Sequence, residues 1–172
     1  MAVAKPSPTQ KTSPSPRQSE ALYHLRVSGG MTMPALGVIY GHTARKLIRK
    51  LLQREKIKIS ETSGIRLYLT AGTPYPKTEE SFYRRVALGW LYARAIEAGC
   101  EWKNGIIPEV IFRNGDGFRV AWRGKTGRNK GLFLALLSRD ARKPRELPPG
   151  SLVVYSDDLR EKVLREALTR KK

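Results

Sequence analysis

The sequence predicts a mixed α+β protein, and changes of hydrophobic period along the chain indicate this class. Residues 43 to 55 place apolar side chains three and four positions apart, which is the spacing of one helix face. Residues 57 to 70 alternate apolar and polar side chains, as half-buried strands do. After a stretch rich in Pro and Gly at 71 to 77, a second helical period and further alternating runs follow. Helices and strands are therefore expected in both halves of the chain.

The N-terminal segment, residues 1 to 18, combines Pro, Ser, Thr and Lys and contains no acid before Glu20. Such a segment buries too little apolar surface to offset the entropy of ordering it. We expect a disordered basic arm, which is either a solvated tail or an extension that reaches a partner. The first helix is predicted to cover Ser19 to Ser28.

The next residues predict two helices joined by a tight turn. Thr32 is a candidate N-cap, and Pro34 suits the first turn of a short helix. A turn at Tyr40-Gly41-His42 ends that helix, and Thr43 is predicted to cap the helix that follows. This arrangement is a helix-turn-helix.

The second of these helices, from Thr43 to Glu55, is strongly amphipathic. Its apolar face consists of Ala44, Leu47, Ile48, Leu51 and Leu52. Its opposite face carries Arg45, Lys46, Arg49, Lys50 and Arg54. The first acid of the segment is Glu55, so five cations precede any negative charge. A charged face that only contacts water is the ordinary alternative for such a helix.

Two short strands are predicted directly after the basic helix. Ile57 and Ile59 alternate with polar residues, and Ile65, Leu67 and Leu69 do the same. A polar turn from Glu61 to Gly64 separates the two runs. A hairpin after a helix-turn-helix is a wing, so residues 19 to 72 are predicted to form a winged helix-turn-helix.

The charge balance indicates the class of partner. The chain has 33 Lys and Arg against 15 Asp and Glu, which gives a formal charge of +18 and a pI near 10.5. The excess is spread along the chain: three cations in residues 1 to 18, nine against three acids in 19 to 72, and 21 against 12 in 73 to 172. A chain that is positive throughout suits a polyanion, and nucleic acid is the commonest one.

Roles for individual residues follow from how such modules bind duplex DNA. The N-terminal half of the second helix enters the major groove, which makes Thr43, Arg45, Lys46 and Arg49 candidates for base edges or flanking phosphates. Arg45 is the first choice for a specific contact because a guanidinium can grip both acceptors of guanine. Phosphate contacts are expected from Lys50, Arg54, Lys58 and Arg66. His42 either donates to a phosphate or is a solvated turn residue. RNA is the alternative ligand.

Several classes of protein are excluded by composition. Cys100 is the sole cysteine and only two histidines are present, so neither an intramolecular disulfide nor a Cys/His metal cage is possible. The longest apolar run, Leu132 to Leu137, is much shorter than the roughly 20 residues that cross a bilayer. No apolar stretch of a secretory signal follows the first lysine. We expect a cytoplasmic protein without metal, cofactor or membrane association.

Residues 73 to 172 predict a small α/β domain. Thr78 is a candidate N-cap for a long helix that ends near Gly99, and its aromatic residues are expected in the core rather than on a base-stacking platform. The run Ile106 to Arg113, broken by Pro108, and the run from Phe118 to Trp122 flank an Asn114 to Gly117 turn, which is typical of a β-hairpin.

The rest of this segment is predicted to contain a loop, a helix, a strand and a last helix. The loop contains Arg123, Lys125, Arg128 and Lys130, which either contact phosphates or form a solvated basic turn. A short apolar helix is expected from Gly131 to Ser138, a strand from Leu152 to Tyr155, and a final helix capped by Asp157. Gly124-Lys125-Thr126 is not a P-loop, because Arg119 stands where the first glycine is needed.

This order of elements resembles the replication-relaxation family of bacterial plasmids and other mobile elements. The resemblance covers roughly residues 19 to 168, with Pro108-Glu109 at the place of a Pro-Asp motif. It implies a second domain similar to the PD-(D/E)xK nuclease fold and a location at the bacterial nucleoid or a plasmid. Such a nuclease needs two carboxylates on adjacent strands, yet Asp116 is the only acid between Glu109 and Asp140. We expect a degenerate, non-catalytic domain.

Three functions are therefore considered. The first is a DNA-binding protein of a mobile element, acting in replication, relaxation or transcription control, whose residues 73 to 172 serve homodimerisation or partner docking. The second is a subunit of a larger nucleoprotein complex, with RNA as one option for its nucleic acid, that contacts the backbone without sequence preference. The third is a metal-dependent nuclease whose activity would require Glu109.

Overall fold

The computed structural model describes residues 13–128, 130–138 and 147–170, and it shows a mixed α+β protein. The helices are α1 Pro16–Ser28, α2 Met33–Tyr40, α3 Ala44–Gln53, α4 Glu79–Glu97, α5 Asp158–Glu161 and α6 Leu164–Ala167. The strands are β1 Met31–Thr32, β2 Ile57–Thr62, β3 Ile65–Thr70, β4 Glu101–Lys103, β5 Glu109–Ile111, β6 Gly117–Trp122, β7 Phe133–Leu137, β8 Leu152–Tyr155 and β9 Thr169–Arg170. Most of the predicted arm, residues 1–12, lies outside the described residues.

The first helix starts three residues before the predicted Ser19, within the segment assigned to the arm. Pro16 occupies the first turn, where its missing N–H costs no hydrogen bond. The Ser15 hydroxyl accepts from the backbone N–H of Gln18, and the Gln18 side chain accepts from the N–H of Ser15. This capping box fixes the start of α1.

Helices α2 and α3 are joined by a short 3-10 helix, Gly41–Thr43. Thr32 caps α2 as predicted, since its hydroxyl accepts from the N–H of Ala35. The predicted capping of α3 by Thr43 is wrong. Thr43 has helical backbone angles, and its hydroxyl donates to the Tyr40 carbonyl at 2.8 Å. The 3-10 helix runs directly into α3, so this position lacks the extended backbone that a capping side chain needs.

A three-stranded antiparallel sheet with the order β1-β3-β2 follows α3 along the chain. The predicted hairpin of β2 and β3 is confirmed, but its turn has two residues instead of four. Ser63 and Gly64 have φ angles of 49° and 77°, the left-handed conformation of tight hairpin turns. Strand β1, which pairs Met31 with Tyr68, was not predicted because it is only two residues long.

The long helix α4 packs on this first sheet. The predicted cap is confirmed: the Thr78 hydroxyl accepts from the N–H of Ser81, whose own hydroxyl accepts from the N–H of Thr78. Gly89 faces β1 so closely that a Cβ atom would lie 2.6 Å from the carbonyl oxygen of Gly30. The helix backbone can approach β1 to this distance only because residue 89 lacks a side chain.

A second sheet of six strands has the order β4-β5-β6-β7-β8-β9. The predicted hairpin around Gly115 joins β5 and β6, which pair antiparallel. Strands β6, β7 and β8 pair parallel, and the short strands β4 and β9 form the edges. The predicted run from Ile106 shortens to Glu109–Ile111, and β4 was not predicted because only three residues form it.

The predicted helix from Gly131 to Ser138 is wrong, because Phe133–Leu137 form the central strand β7. All five residues of this strand are buried. A strand covered on both faces has no alternation of polarity, so a continuous apolar run cannot be told from a short buried helix.

The predicted final helix is also wrong. Two four-residue helices, α5 and α6, replace it, and the extended residues Lys162 and Val163 separate them. Asp157 precedes α5 but makes no side-chain capping hydrogen bond. After α6 the chain returns as β9, which pairs with β8.

One hydrophobic core runs through both sheets. It extends from Leu25 and Met31 through Phe82 and Leu91 of α4 to Val154 of β8. A smaller cluster around Phe133 lies apart from it. Because α4 contributes to the packing of both sheets, burial on this helix stabilises the two halves together.

Candidate nucleic-acid interface

The basic helix α3 separates its apolar and charged side chains as predicted. Ala44, Leu47, Ile48 and Leu51 are buried. The residues between them, Arg45, Lys46, Arg49 and Lys50, are exposed. Burial of the apolar face against the core holds α3 in place, so the four cations project from a fixed surface. We call this surface the basic face.

The four cations of the basic face have no acidic partner in the described part of the chain. Ion pairs occur elsewhere in these residues, as between Arg94 and Glu97 at 2.8 Å, but none involves α3. Uncompensated like charges on one surface create a positive potential that attracts anions. An anion that follows a line, as a phosphate backbone does, can contact several of these side chains at once.

The hairpin of β2 and β3 adds two predicted contact residues, and both already have partners. The Lys58 ammonium lies 4.2 Å from the centroid of the Tyr75 ring, a cation–π contact. The Arg66 guanidinium donates to Glu61 at 2.8 Å across the hairpin, and this pairing raises the pKa of Arg66. Glu61 therefore offsets the charge that Arg66 would present to a phosphate.

Arg54 has a structural contact in addition to its predicted phosphate role. Its Nη1 donates to the Gln18 side chain at 2.7 Å and to the Ser13 carbonyl at 3.4 Å. Gln18 lies in the first turn of α1, and Ser13 lies three residues before this helix begins. Arg54 thus ties the end of the basic helix to the first described residues of the chain.

The two predicted residues next to α3 differ in accessibility. His42 is exposed on the 3-10 helix, where its ring can reach a ligand beside the basic face. Thr43 is half-buried, and its hydroxyl hydrogen is used by the Tyr40 carbonyl. Donation of a hydrogen bond from Thr43 to a base would require this bond to break, whereas its oxygen can still accept one.

The predicted cations of the second half lie on the connection between β6 and β7, apart from α3. Arg123 pairs with Glu80 of α4 at 3.3 Å. Lys125, Arg128 and Lys130 are exposed. The predicted contact residues thus form two separate groups, one on and beside α3 and one on the connection between β6 and β7.

Glu109 lies on β5, where the family resemblance expects the first carboxylate of a nuclease. Its register partner on β6 is Arg119, a cation where a second carboxylate would be needed. Among residues 13–128, 130–138 and 147–170, no three His, Cys, Asp or Glu side chains come together as a metal site.

Sequence reasoning missed one cavity, of about 260 Å³, between α4 and the second sheet. Its polar lining includes Arg123, Ser138, Ser156 and Arg160. We call it the strand-end cavity, because three of these residues directly follow β6, β7 and β8. Recognising β7 as a strand was the missing step, since parallel strands place the residues after their ends side by side.

Comparisons with protein-family models, with curated proteins and with solved structures give no significant match to this chain. The resemblance to the replication-relaxation family therefore stays a prediction. No helix within the described residues is both long and apolar enough to span a bilayer.

Proposed function

We propose that this protein binds duplex DNA through the basic face of α3. The observation that carries this proposal is the set of four exposed cations, Arg45, Lys46, Arg49 and Lys50, on a helix whose other face is buried. A helix of this diameter fits the major groove of B-form DNA. Backbone phosphates line both sides of that groove, so cations along the helix neutralise them.

The arrangement of elements around α3 supports a winged helix-turn-helix. The chain runs through α1, β1, α2, α3, β2 and β3, and the sheet order is β1-β3-β2. In a helix-turn-helix the second helix of the pair contacts base edges while neighbouring elements contact the backbone. Here α3 is that second helix, and the hairpin of β2 and β3 supplies Lys58 and Arg66 at its side.

Within this proposal the residues have different tasks. Arg45, in the first turn of α3, is placed for a bidentate contact to guanine. Arg49 and Lys50 lie about one turn further along and contact phosphates, which contributes affinity without sequence preference. Lys58 contributes a further phosphate contact from the hairpin. Thr43 has a smaller role than the sequence predicted, because its hydroxyl is already engaged.

The direct test is selection of bound molecules from a random duplex DNA pool at near-physiological salt, with single-stranded DNA and structured RNA as competitors. We expect the bound duplexes to converge on one sequence, and we expect single-stranded DNA and RNA to displace these duplexes from the protein poorly. A pool that stays random while RNA competes best would contradict duplex DNA recognition. That result would instead favour a nucleoprotein subunit that grips the backbone.

The second half is proposed as a non-catalytic part of this DNA-binding protein, used for dimerisation or partner docking. Arg119 opposite Glu109 supports the absence of nuclease chemistry. Incubation of supercoiled DNA with the protein and Mg²⁺ tests this directly. Cutting that is lost in Glu109→Gln would overturn the proposal.

A further inference from the structure

The strand-end cavity lies at the place where α/β sheets commonly bind ligands. Strands β6, β7 and β8 run parallel, so their carboxyl ends meet at one edge of the sheet. Backbone hydrogen bonds of 2.8 Å, from Arg123 to the Leu136 carbonyl and from Ser156 to the Leu137 carbonyl, align the residues that follow these strands. Crevices outside the carboxyl ends of parallel strands are the usual ligand sites of such sheets.

The polar groups of the cavity match a phosphate. Arg123 and Arg160 line it together with the hydroxyl-bearing Ser138 and Ser156. Guanidinium groups donate paired hydrogen bonds to phosphate oxygens, and each hydroxyl group can donate one more. Among the described residues, Asp157 is the one acid of the lining, and it has an interaction partner within the chain. The described lining therefore contains two cations and one carboxylate.

The remaining wall of the cavity is apolar, with aromatic rings beside the small side chains of Val86 and Ala87. Tyr83 and Trp90 of α4 and Trp122 of β6 line it. Tyr83 and Trp122 are half-buried, so part of each ring is accessible to a ligand. The indole N–H of Trp122 is buried, and it has no hydrogen-bond partner in the described part of the chain.

The backbone at Arg123 is strained. Its φ angle is +52°, in the left-handed region that side chains other than glycine seldom adopt. This conformation directly after β6 places the guanidinium carbon 5.6 Å from the centroid of the Trp122 ring. The present partner of Arg123 is Glu80, through an exposed pair at 3.3 Å. Exposed ion pairs are weak, so a phosphate can replace Glu80 at little cost.

We propose that the strand-end cavity binds a single nucleotide. Its phosphate contacts Arg123, Arg160 and the two serine hydroxyls, and its base packs beside Trp122. With a volume of about 260 Å³, the cavity has room for at most one small ligand and excludes a duplex. The phosphate ester belongs either to a free nucleotide or to the 5′-terminal nucleotide of a nucleic acid. The site uses no P-loop, and no residue of α3 lines it. A result that disproves DNA binding by the basic face would therefore leave the nucleotide-binding proposal unaffected.

Isothermal titration of the full chain with each of the four common nucleoside monophosphates tests the proposal. We expect at least one to bind, and its nucleoside and inorganic phosphate each to bind roughly tenfold or more weakly. No binding of any monophosphate at roughly millimolar concentration would overturn the site. Inorganic phosphate binding as tightly as the nucleotides would overturn the role of the aromatic wall. Competition by a 5′-phosphorylated oligonucleotide, but not by its 5′-hydroxyl form, would identify a nucleic-acid end as the source; competition by neither would identify the free nucleotide.

A matched pair of variants locates the binding. Arg160→Ala removes one guanidinium from the cavity, and we expect it to weaken nucleotide binding roughly tenfold or more. Arg165→Ala removes another exposed arginine, on α6 and outside the lining of this cavity, and is expected to leave binding unchanged. Ser156→Ala provides a second, smaller loss that does not alter charge. Equal nucleotide affinity in wild type and Arg160→Ala, with unchanged circular dichroism, would contradict the assignment.

Discussion

His24 of α1 and Tyr92 of α4 are joined by a buried hydrogen bond between the imidazole Nδ1 and the phenol hydroxyl. Sixty-eight residues separate them along the chain. The other ring nitrogen of His24 lies 3.5 Å from Glu20, one turn earlier on α1. This polar contact connects the helix that precedes the first sheet to the helix shared by both sheets.

Stability should fall in acid because of His24. Burial lowers the pKa of His24 below its usual value, although Glu20 opposes the shift. The unfolded chain therefore takes up this proton at a higher pH than the folded chain. The stabilising contribution is complete above about pH 6.5 and is lost as the pH falls through the lower folded pKa. Thermal unfolding should show a lower Tm at about pH 5 than at about pH 7.

The variant His24→Gln separates this effect from acid destabilisation by other groups. Its Tm should drop less between the two pH values than that of the wild type. His42→Gln, which changes the exposed histidine, should keep the wild-type drop. An equal drop in His24→Gln and wild type would show that His24 does not cause the acid effect.

Gly89→Ala should destabilise the protein. The added Cβ would lie 2.6 Å from the Gly30 carbonyl oxygen and 3.3 Å from the Met31 Cα, so α4 would have to move away from β1. A loss of about 1 to 3 kcal/mol in the free energy of unfolding is expected in urea titration. Gly37→Ala on α2 is the matched control, because no atom lies within 4 Å of its added Cβ. That control should be neutral or stabilising by up to about 1 kcal/mol. Equal losses at both sites would refute the close packing of α4 and β1.

The double variant Arg49→Ala, Lys50→Ala should weaken binding to duplex DNA without changing stability, because both side chains are exposed. If each contacts one phosphate, the slope of log affinity against log salt should become shallower by about 1.8. Fluorescence anisotropy over a salt series measures this slope. The variant Lys103→Ala, Arg165→Ala removes the same charge from exposed positions on β4 and α6. If the two double variants have the same slope of log affinity against log salt, the basic face is not part of the DNA-binding site.

Arg45→Lys should relax sequence preference while keeping the salt dependence. The charge remains, but a lysine cannot make the paired contact that a guanidinium makes to guanine. Discrimination at one base pair should fall by about 1 to 3 kcal/mol, which competition with single-substitution duplexes measures. Unchanged preference at every position would show that Arg45 contacts phosphate instead of a base.

Glu61→Gln should strengthen DNA binding. The change removes a negative charge beside the proposed interface and releases Arg66 from its 2.8 Å ion pair. Because that pair is exposed, its loss should cost the fold no more than about 1 kcal/mol. Affinity for duplex DNA is expected to rise at low salt, and Glu55→Gln, at the end of α3, is the neutralising control. No gain in Glu61→Gln would place Arg66 outside the contact surface.

The first half of the fold could be predicted from the sequence because its signals are local. Thr32 and Pro34 predict the start of α2, and the helical period of apolar residues from 44 to 52 predicts α3. Alternation of apolar and polar residues predicts the hairpin. Arg45, Lys46, Arg49 and Lys50 were correctly placed on one exposed face for the same reason. The partners of Arg54 and Arg66 were not predictable, since they depend on which elements meet in space.

The fold of the second half was harder to predict because the sequence of its middle strand, β7, shows no alternation of apolar and polar residues. Phe133–Leu137 is buried on both sides, so helix and strand share one apolar pattern. Because β7 was predicted as a helix, neither the parallel pairing of β6, β7 and β8 nor the strand-end cavity could be predicted. Edge strands of two or three residues, such as β4 and β9, leave too few positions for any pattern.

The shared helix α4 has a consequence for how the molecule melts. Phe82 and Leu91 belong to the same buried cluster as Leu25 before them and Val154 after them. Neither sheet can lose α4 without exposing apolar surface of its own. The two halves should therefore unfold in one cooperative transition, despite the Pro-rich connection at residues 73–77. A substitution deep in one sheet will then lower the folded population of the other.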